Sequence, residues 1–153
     1  MTRAVAKAAL AAAALLLAAA PLAAHGDHAA GVPGDPNKPA RTVEIVMSEA
    51  ADGMHYTPDR VEAHPGEQIR FAIRNAGSVS HEFFLGTAEA DKAHAAMMAA
   101  MPEMKHHDAN AVTVAPGQSA TLLWRFTHAG DFEFACLVPG HYEAGMHGAV
   151  AVK

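Results

Sequence analysis

Three side chains that bind soft metals follow one another at even spacing near the C-terminus: Cys136, His141 and Met146, in the pattern Cys-x4-His-x4-Met. Pro139 and Gly140 lie between the first two and let a loop turn back, so the three donors can converge on one point. A fourth donor, His81, stands far upstream. A thiolate and a thioether hold Cu(I), and imidazole also suits Cu(II). A mixed set of this kind serves both oxidation states, so gain or loss of one electron needs little rearrangement. Zinc shares the preference for Cys and His, but a thioether is not among its usual ligands. The sequence also has no second Cys to offer it.

Cys136 taken alone has three readings: a thiol paired between chains, an inert core thiol, or a thiolate held by a metal. The start of the chain bears on the choice. Arg3 and Lys7 precede an uncharged, Ala- and Leu-rich run over residues 8–20, and Pro21-Leu22-Ala23-Ala24 follow. This is the layout of a secretory signal peptide over residues 1–24, with cleavage expected near Ala24. The run is short for a membrane span of roughly 20 residues, so the exported protein is expected not to be membrane-embedded. In a bacterium the destination is the periplasm. An unpaired Cys in an oxidising compartment calls for an explanation, and a single Cys excludes an internal disulfide.

The elements that must position these donors read as strands. Residues 25–40 are rich in Gly and Pro, with almost nothing to bury, and read as a flexible linker. From Arg41 onward apolar residues alternate: Val43, Ile45, Met47; then Ile69, Phe71, Ile73; then Leu122, Trp124, Phe126. Phe132, Phe134 and Cys136 share one face, which the aromatics mark as inward, and His81, Phe83 and Leu85 share another. Both Cys136 and His81 therefore point into the interior. His64-Pro65-Gly66-Glu67 and Ala115-Pro116-Gly117-Gln118 read as type II turns. Residues 87–101 are rich in helix formers and end at Pro102. The expected fold is an all-β sandwich of about seven or eight strands over residues 41–153, with one helical insertion at about 87–108.

From about Arg41 to Lys153 the chain resembles the cupredoxins, the blue copper proteins that include plastocyanin and azurin. The carriers are His81 at a strand start, Cys136, Pro139-Gly140-His141, Met146 and the closing strand over residues 148–152. The ligand-loop spacing is most similar to that of rusticyanin and auracyanin. The resemblance implies a Greek-key β-sandwich holding one type 1 copper near one end. It implies His81, Cys136 and His141 as equatorial ligands, Met146 as the axial one, and the His141 edge as the electron exit. In one place the chain departs from the pattern. Electron-carrying cupredoxins usually have Asn after the first His, bracing the Cys loop, and here Glu82 follows His81. In this, and in its long Met- and His-bearing insertion, the chain looks more like periplasmic cupredoxins associated with copper tolerance.

Eleven His and eight Met leave more donors than one site needs. Met98, Met101 and Met104, followed by His106 and His107, could hold Cu(I) as an accessory site, or form a Met-rich cover over the sandwich. His25 and His28 on the linker could hold Cu(II), but a lone pair of histidines in a linker reads first as solvated. The formal charge of −5 disfavours nucleic acid and suits a basic protein partner, either a redox partner or an acceptor of copper. The leading function is one-electron transfer between periplasmic partners; the alternative uses the same centre, with the Met/His-rich insertion, for copper tolerance through sequestration, Cu(I) oxidation or delivery. An enzyme is not expected. A multicopper oxidase or nitrite reductase would need further copper domains or a His-Cys-His relay, and the neighbours of Cys136 are Ala135 and Leu137.

Overall fold

The structure, a computed structural model, describes residues 30–100 and 108–153, without the side chains of Met98 and Ala99. Ten strands and one helix follow in order: β1 (Val32–Pro33), β2 (Arg41–Ala50), β3 (Gly53–Thr57), β4 (Arg60–Ala63), β5 (Gln68–Asn75), β6 (His81–Gly86), α1 (Ala88–Ala100), β7 (Ala111–Val114), β8 (Ser119–Arg125), β9 (Gly130–Ala135) and β10 (His147–Val152). They form two five-stranded sheets, in the orders β1-β8-β5-β2-β3 and β4-β10-β9-β6-β7. The pairs β2–β5 and β10–β4 are parallel and the others antiparallel, so the chain crosses repeatedly between the sheets. The all-β sandwich with one helix stands as expected, with more strands than the seven or eight read from the sequence. The extra ones are short: β1 and β4 hold two and four residues, too few to show a period of two.

The core lies where the alternation put it. Ile45, Met47, Ile69, Phe71, Ile73, Trp124, Phe126 and Phe134 from both sheets are buried to within 1%. Phe83 and Phe134 stack at 5.0 Å, and Tyr56 meets Phe134 edge-on at 5.1 Å. Both expected Pro-Gly turns form. Gly66 and Gly117 take positive φ (84° and 72°), and the amides of Glu67 and Gln118 donate to the carbonyls of His64 and Ala115.

Two features differ from the sequence reading. The linker expected over 25–40 is already docked from Ala30. Ala30 is fully buried, its carbonyl accepts the Trp124 indole N–H at 3.1 Å, and Val32 and Pro33 pair with β8. The backbone amide of Asp35 donates to Gln68 Oε1 at 2.7 Å. These are backbone interactions, to which side-chain composition is blind. The second difference is that β6 is buried on both faces. α1 lies against β6 and β9, and Phe84, Ala135 and Leu137 form a small second core there. The Thr87 hydroxyl caps α1 by accepting the Ala90 amide at 3.2 Å. The proposed leader, His25, His28, Met101, Met104, His106, His107 and the side chain of Met98 lie outside the described residues.

Candidate metal centre

The two ends of the Cys136–Met146 loop are brought back together by backbone bonds. The Cys136 amide donates to the Met146 carbonyl at 3.0 Å, and the Met146 amide to the His141 carbonyl at 3.0 Å. Within the loop, Pro139-Gly140 form a tight turn closed by the His141 amide on the Val138 carbonyl at 3.0 Å, with Gly140 at φ 86°. The Met54 amide donates to the Ala144 carbonyl at 2.9 Å and ties the loop to β3. These bonds close the loop on itself and fasten it to β3.

His81 arrives from β6 and completes the cluster. One donor atom each from His81, Cys136 and His141 lies within 4.8 Å of the other two, the one group of three such residues so arranged among the described residues. His81 Nδ1 and His141 Nδ1 are 3.2 Å apart, and Cys136 Sγ is 3.3 Å from His141 Nδ1. His81, Cys136 and Met146 are fully buried, and His141 is half-buried at the rim. Met146 shares the core cluster with Cys136.

In the metal-free protein the surroundings of the Cys136 sulfur favour the neutral thiol, although backbone amides point at it. The Glu82 amide donates to Cys136 Sγ at 3.3 Å. Burial pushes the free thiol up to about 11, although the Glu82 and Val138 amides pull the other way. Burial, then the neighbouring His81, lowers His141. The Cys136 sulfur and the two Nδ1 atoms converge as three potential donors to one ion. A cation accepting sulfur and two nitrogen lone pairs satisfies them together, so the donor set fits copper.

Sequence reasoning missed several residues that hold this cluster. His81 Nε2, the ring nitrogen other than the one facing His141, meets Glu49 Oε1 from β2 at 2.7 Å. Glu49 also accepts the Ser78 amide and hydroxyl, each at 2.8 Å, and the Val79 amide at 3.4 Å. These bonds hold its carboxyl at about 2, the Ser78 amide contributing most, then the Ser78 hydroxyl, then His81. Asn75, fully buried, donates to the carbonyls of Val79 and Val114 and accepts the Gly77 amide. The Tyr56 hydroxyl donates to the Glu82 carbonyl. Glu49 stands one residue before the end of β2, and nothing in the local sequence marked it.

Glu82, the departure from the blue-copper pattern, is buried beside the Cys loop. The Leu137 amide of that loop lies by its carboxyl and opposes the effect of burial, and Oε2 is buried with no hydrogen-bond partner among the described residues. Burial raises its pKa above the ordinary carboxylate value. A cavity of about 380 Å³ separates the ligand loop from α1, with Asp91, Lys92, Val138 and Tyr142 among its lining. Burial, and then Glu133 facing it, push the Asp91 carboxyl well up.

Comparison with known proteins agrees with this geometry. Residues 43–153 match the family described as copper binding proteins, plastocyanin/azurin family. The chain is 52% identical to the copper-resistant cuproprotein CopI of Rubrivivax gelatinosus, over 80% of this chain and 73% of that protein. It is 35% identical to the CopI of Pseudomonas aeruginosa, over 85% of each. Among solved structures, auracyanin B superposes with a TM-score of 0.62 at 25% identity, covering 80% of this chain and 96% of that one. The chain belongs to the plastocyanin/azurin family of copper-binding proteins.

Proposed function

We propose that this protein would hold one type 1 copper through His81, Cys136 and His141, with Met146 as a weaker fourth ligand, and that it serves copper tolerance in the periplasm. The observation that carries the ligand assignment is the convergence of three donors from two distant segments within 4.8 Å. Copper supplies one-electron redox chemistry when bound. The chain's own residues do the rest. The Cys136 sulfur, bonded by the Glu82 amide, offers a soft, negative donor. The closed loop keeps the donors in place through a change of charge. Phe83, Leu85 and Phe134 keep water away. His141, at the rim, is the point where an electron passes to or from a partner.

The tolerance role is favoured over simple electron carriage by the two CopI relatives, both named as copper-resistant. Glu82 in place of Asn fits the same reading. Electron transfer between periplasmic proteins is the second reading, supported by the similarity to auracyanin B. In either role no substrate is transformed. Residues 1–24 serve as the cleaved leader and 41–153 as the copper domain, with residues 30–40 docked on it. The partner is a redox protein or copper acceptor of the same compartment, and nucleic acid is not a partner. Deleting the gene separates the two roles. Growth that becomes copper-sensitive while respiration stays intact supports tolerance; impaired electron transport with unchanged copper tolerance supports the carrier.

A further inference from the structure

We propose that Glu49 is a positioning residue for the copper centre: its carboxylate fixes His81 in the form protonated on Nε2 and so presents the Nδ1 lone pair to the site. This rests on the assignment of His81 as a ligand. Glu49 comes from the end of β2, in the sheet opposite β6, and reaches His81 Nε2 at 2.7 Å. Its other neighbours, the Ser78 amide, the Ser78 hydroxyl and the Val79 amide, all donate to it. A carboxylate with three donors around it is acceptor-only, so the fourth group it meets, His81 Nε2, must carry the hydrogen. The neutral ring then has its lone pair on Nδ1, the atom that lies 3.2 Å from His141 Nδ1.

The position of the carboxylate is itself constrained. Gly77 packs on it so closely that a Cβ there would fall 2.0 Å from Glu49 Oε1. The Gly77 amide is in turn held by Asn75 Oδ1 at 2.8 Å. The loop between β5 and β6 is thus built around this one acid. An anionic acceptor on a ligand's outer nitrogen raises the basicity of the inner one, and metal-bound imidazoles ordinarily have such a partner. A more basic imidazole favours the more highly charged ion, Cu(II), over Cu(I). Glu49 therefore sets both the orientation of His81 and the oxidation-state preference of the centre.

Glu49→Gln tests this, with Ser78→Ala as the control for loop order. The two Ser78 donors hold the Gln oxygen, so the side-chain amide turns a donor toward His81 Nε2. In metal-free protein, long-range ¹H–¹⁵N NMR at pH 8 should show His81 protonated on Nε2 in the parent and in Ser78→Ala. It should show a shift toward Nδ1–H in Glu49→Gln. With copper added, Glu49→Gln should lose about tenfold in Cu(II)-over-Cu(I) preference, a rise of about 59 mV in potential. Ser78→Ala should stay near the parent. A parent His81 protonated on Nδ1 overturns the inference, and needs no variant to be seen. So does a Glu49→Gln protein with parental tautomer and potential, or a Ser78→Ala protein shifted as far as Glu49→Gln. If the parent gives no intense colour with Cu(II), it is the type 1 assignment that fails, and the metal-free tautomer still decides what Glu49 does.

Discussion

Asn75 offers a quantitative test of how the site is held. It is fully buried and makes three hydrogen bonds: to the Val114 carbonyl at 2.9 Å, to the Val79 carbonyl at 2.8 Å, and from the Gly77 amide at 2.8 Å. Together they pin the loop that delivers His81 to the edge strand β7. Asn75→Ala removes all three partners at once. The Val114 bond is buried, and stripping its carbonyl costs about 1–3 kcal/mol. The other two are partly open to water, which replaces some of what is lost, so each costs about 0.5–1 kcal/mol. The sum is about 2–5 kcal/mol, a large share of the ~5–15 kcal/mol of a typical domain. At an m-value of about 2 kcal/mol/M, the urea midpoint of the metal-free protein should fall by about 1–2.5 M. Asn75→Asp should fare no better, since it loses both donated bonds and buries a charge. A midpoint within about 0.3 M of the parent, at equal m-value, would refute the view that Asn75 holds this loop.

Three further outcomes follow from other parts of the structure. Phe134→Ala empties a fully buried position between Phe83 and Tyr56, and should lower stability by about 3–5 kcal/mol in the same denaturation assay. The folded protein holds the Asp91 proton far more tightly than the unfolded chain, where the ordinary value is 3.8. The stability this contributes is full at low pH and is lost as pH rises above that value. Asp91→Asn should therefore raise the urea midpoint at pH 8 and flatten its decline between pH 5 and 8; an unchanged decline contradicts it. Met146→Leu should keep the intense colour and raise the reduction potential, because a weak donor to Cu(II) is gone. A potential equal to the parent's means that the Met146 sulfur is not a ligand.

The parts of the site that were legible in the sequence are those with short-range signatures. Cys136 and His141 lie within one loop, and their spacing is visible without knowledge of the fold; Met146, at the same spacing, stays a proposed ligand. His81 was legible because Phe83 and Leu85 continue its alternation and fix the inward face. Glu49 and Asn75 were not. Each acts on the loop before His81 across strand pairings or between sheets, and nothing in the local pattern marks an acid at a strand end as a partner for a buried ring. Glu82 was noticed as a departure from a familiar pattern, while its place against the Leu137 amide needed β6 and β9 side by side. The same holds for β6 as a whole. Alternation predicted one buried face, and α1 covers the other, so Glu82 and Phe84 are buried too. The docked lead from Ala30 escaped for another reason: its contacts are made largely by backbone groups, and Gly and Pro composition says only that the chain can bend there.

The central claim is that Cys136 binds copper together with two imidazoles. The most direct measurement is titration of purified metal-free protein with Cu(II), followed by visible absorption and EPR, in the parent and in Cys136→Ser. The parent should take up one copper per chain and develop an intense visible band from sulfur-to-copper charge transfer, and Cys136→Ser should lack that band. Equal copper binding by both proteins with no intense colour in either would contradict the account.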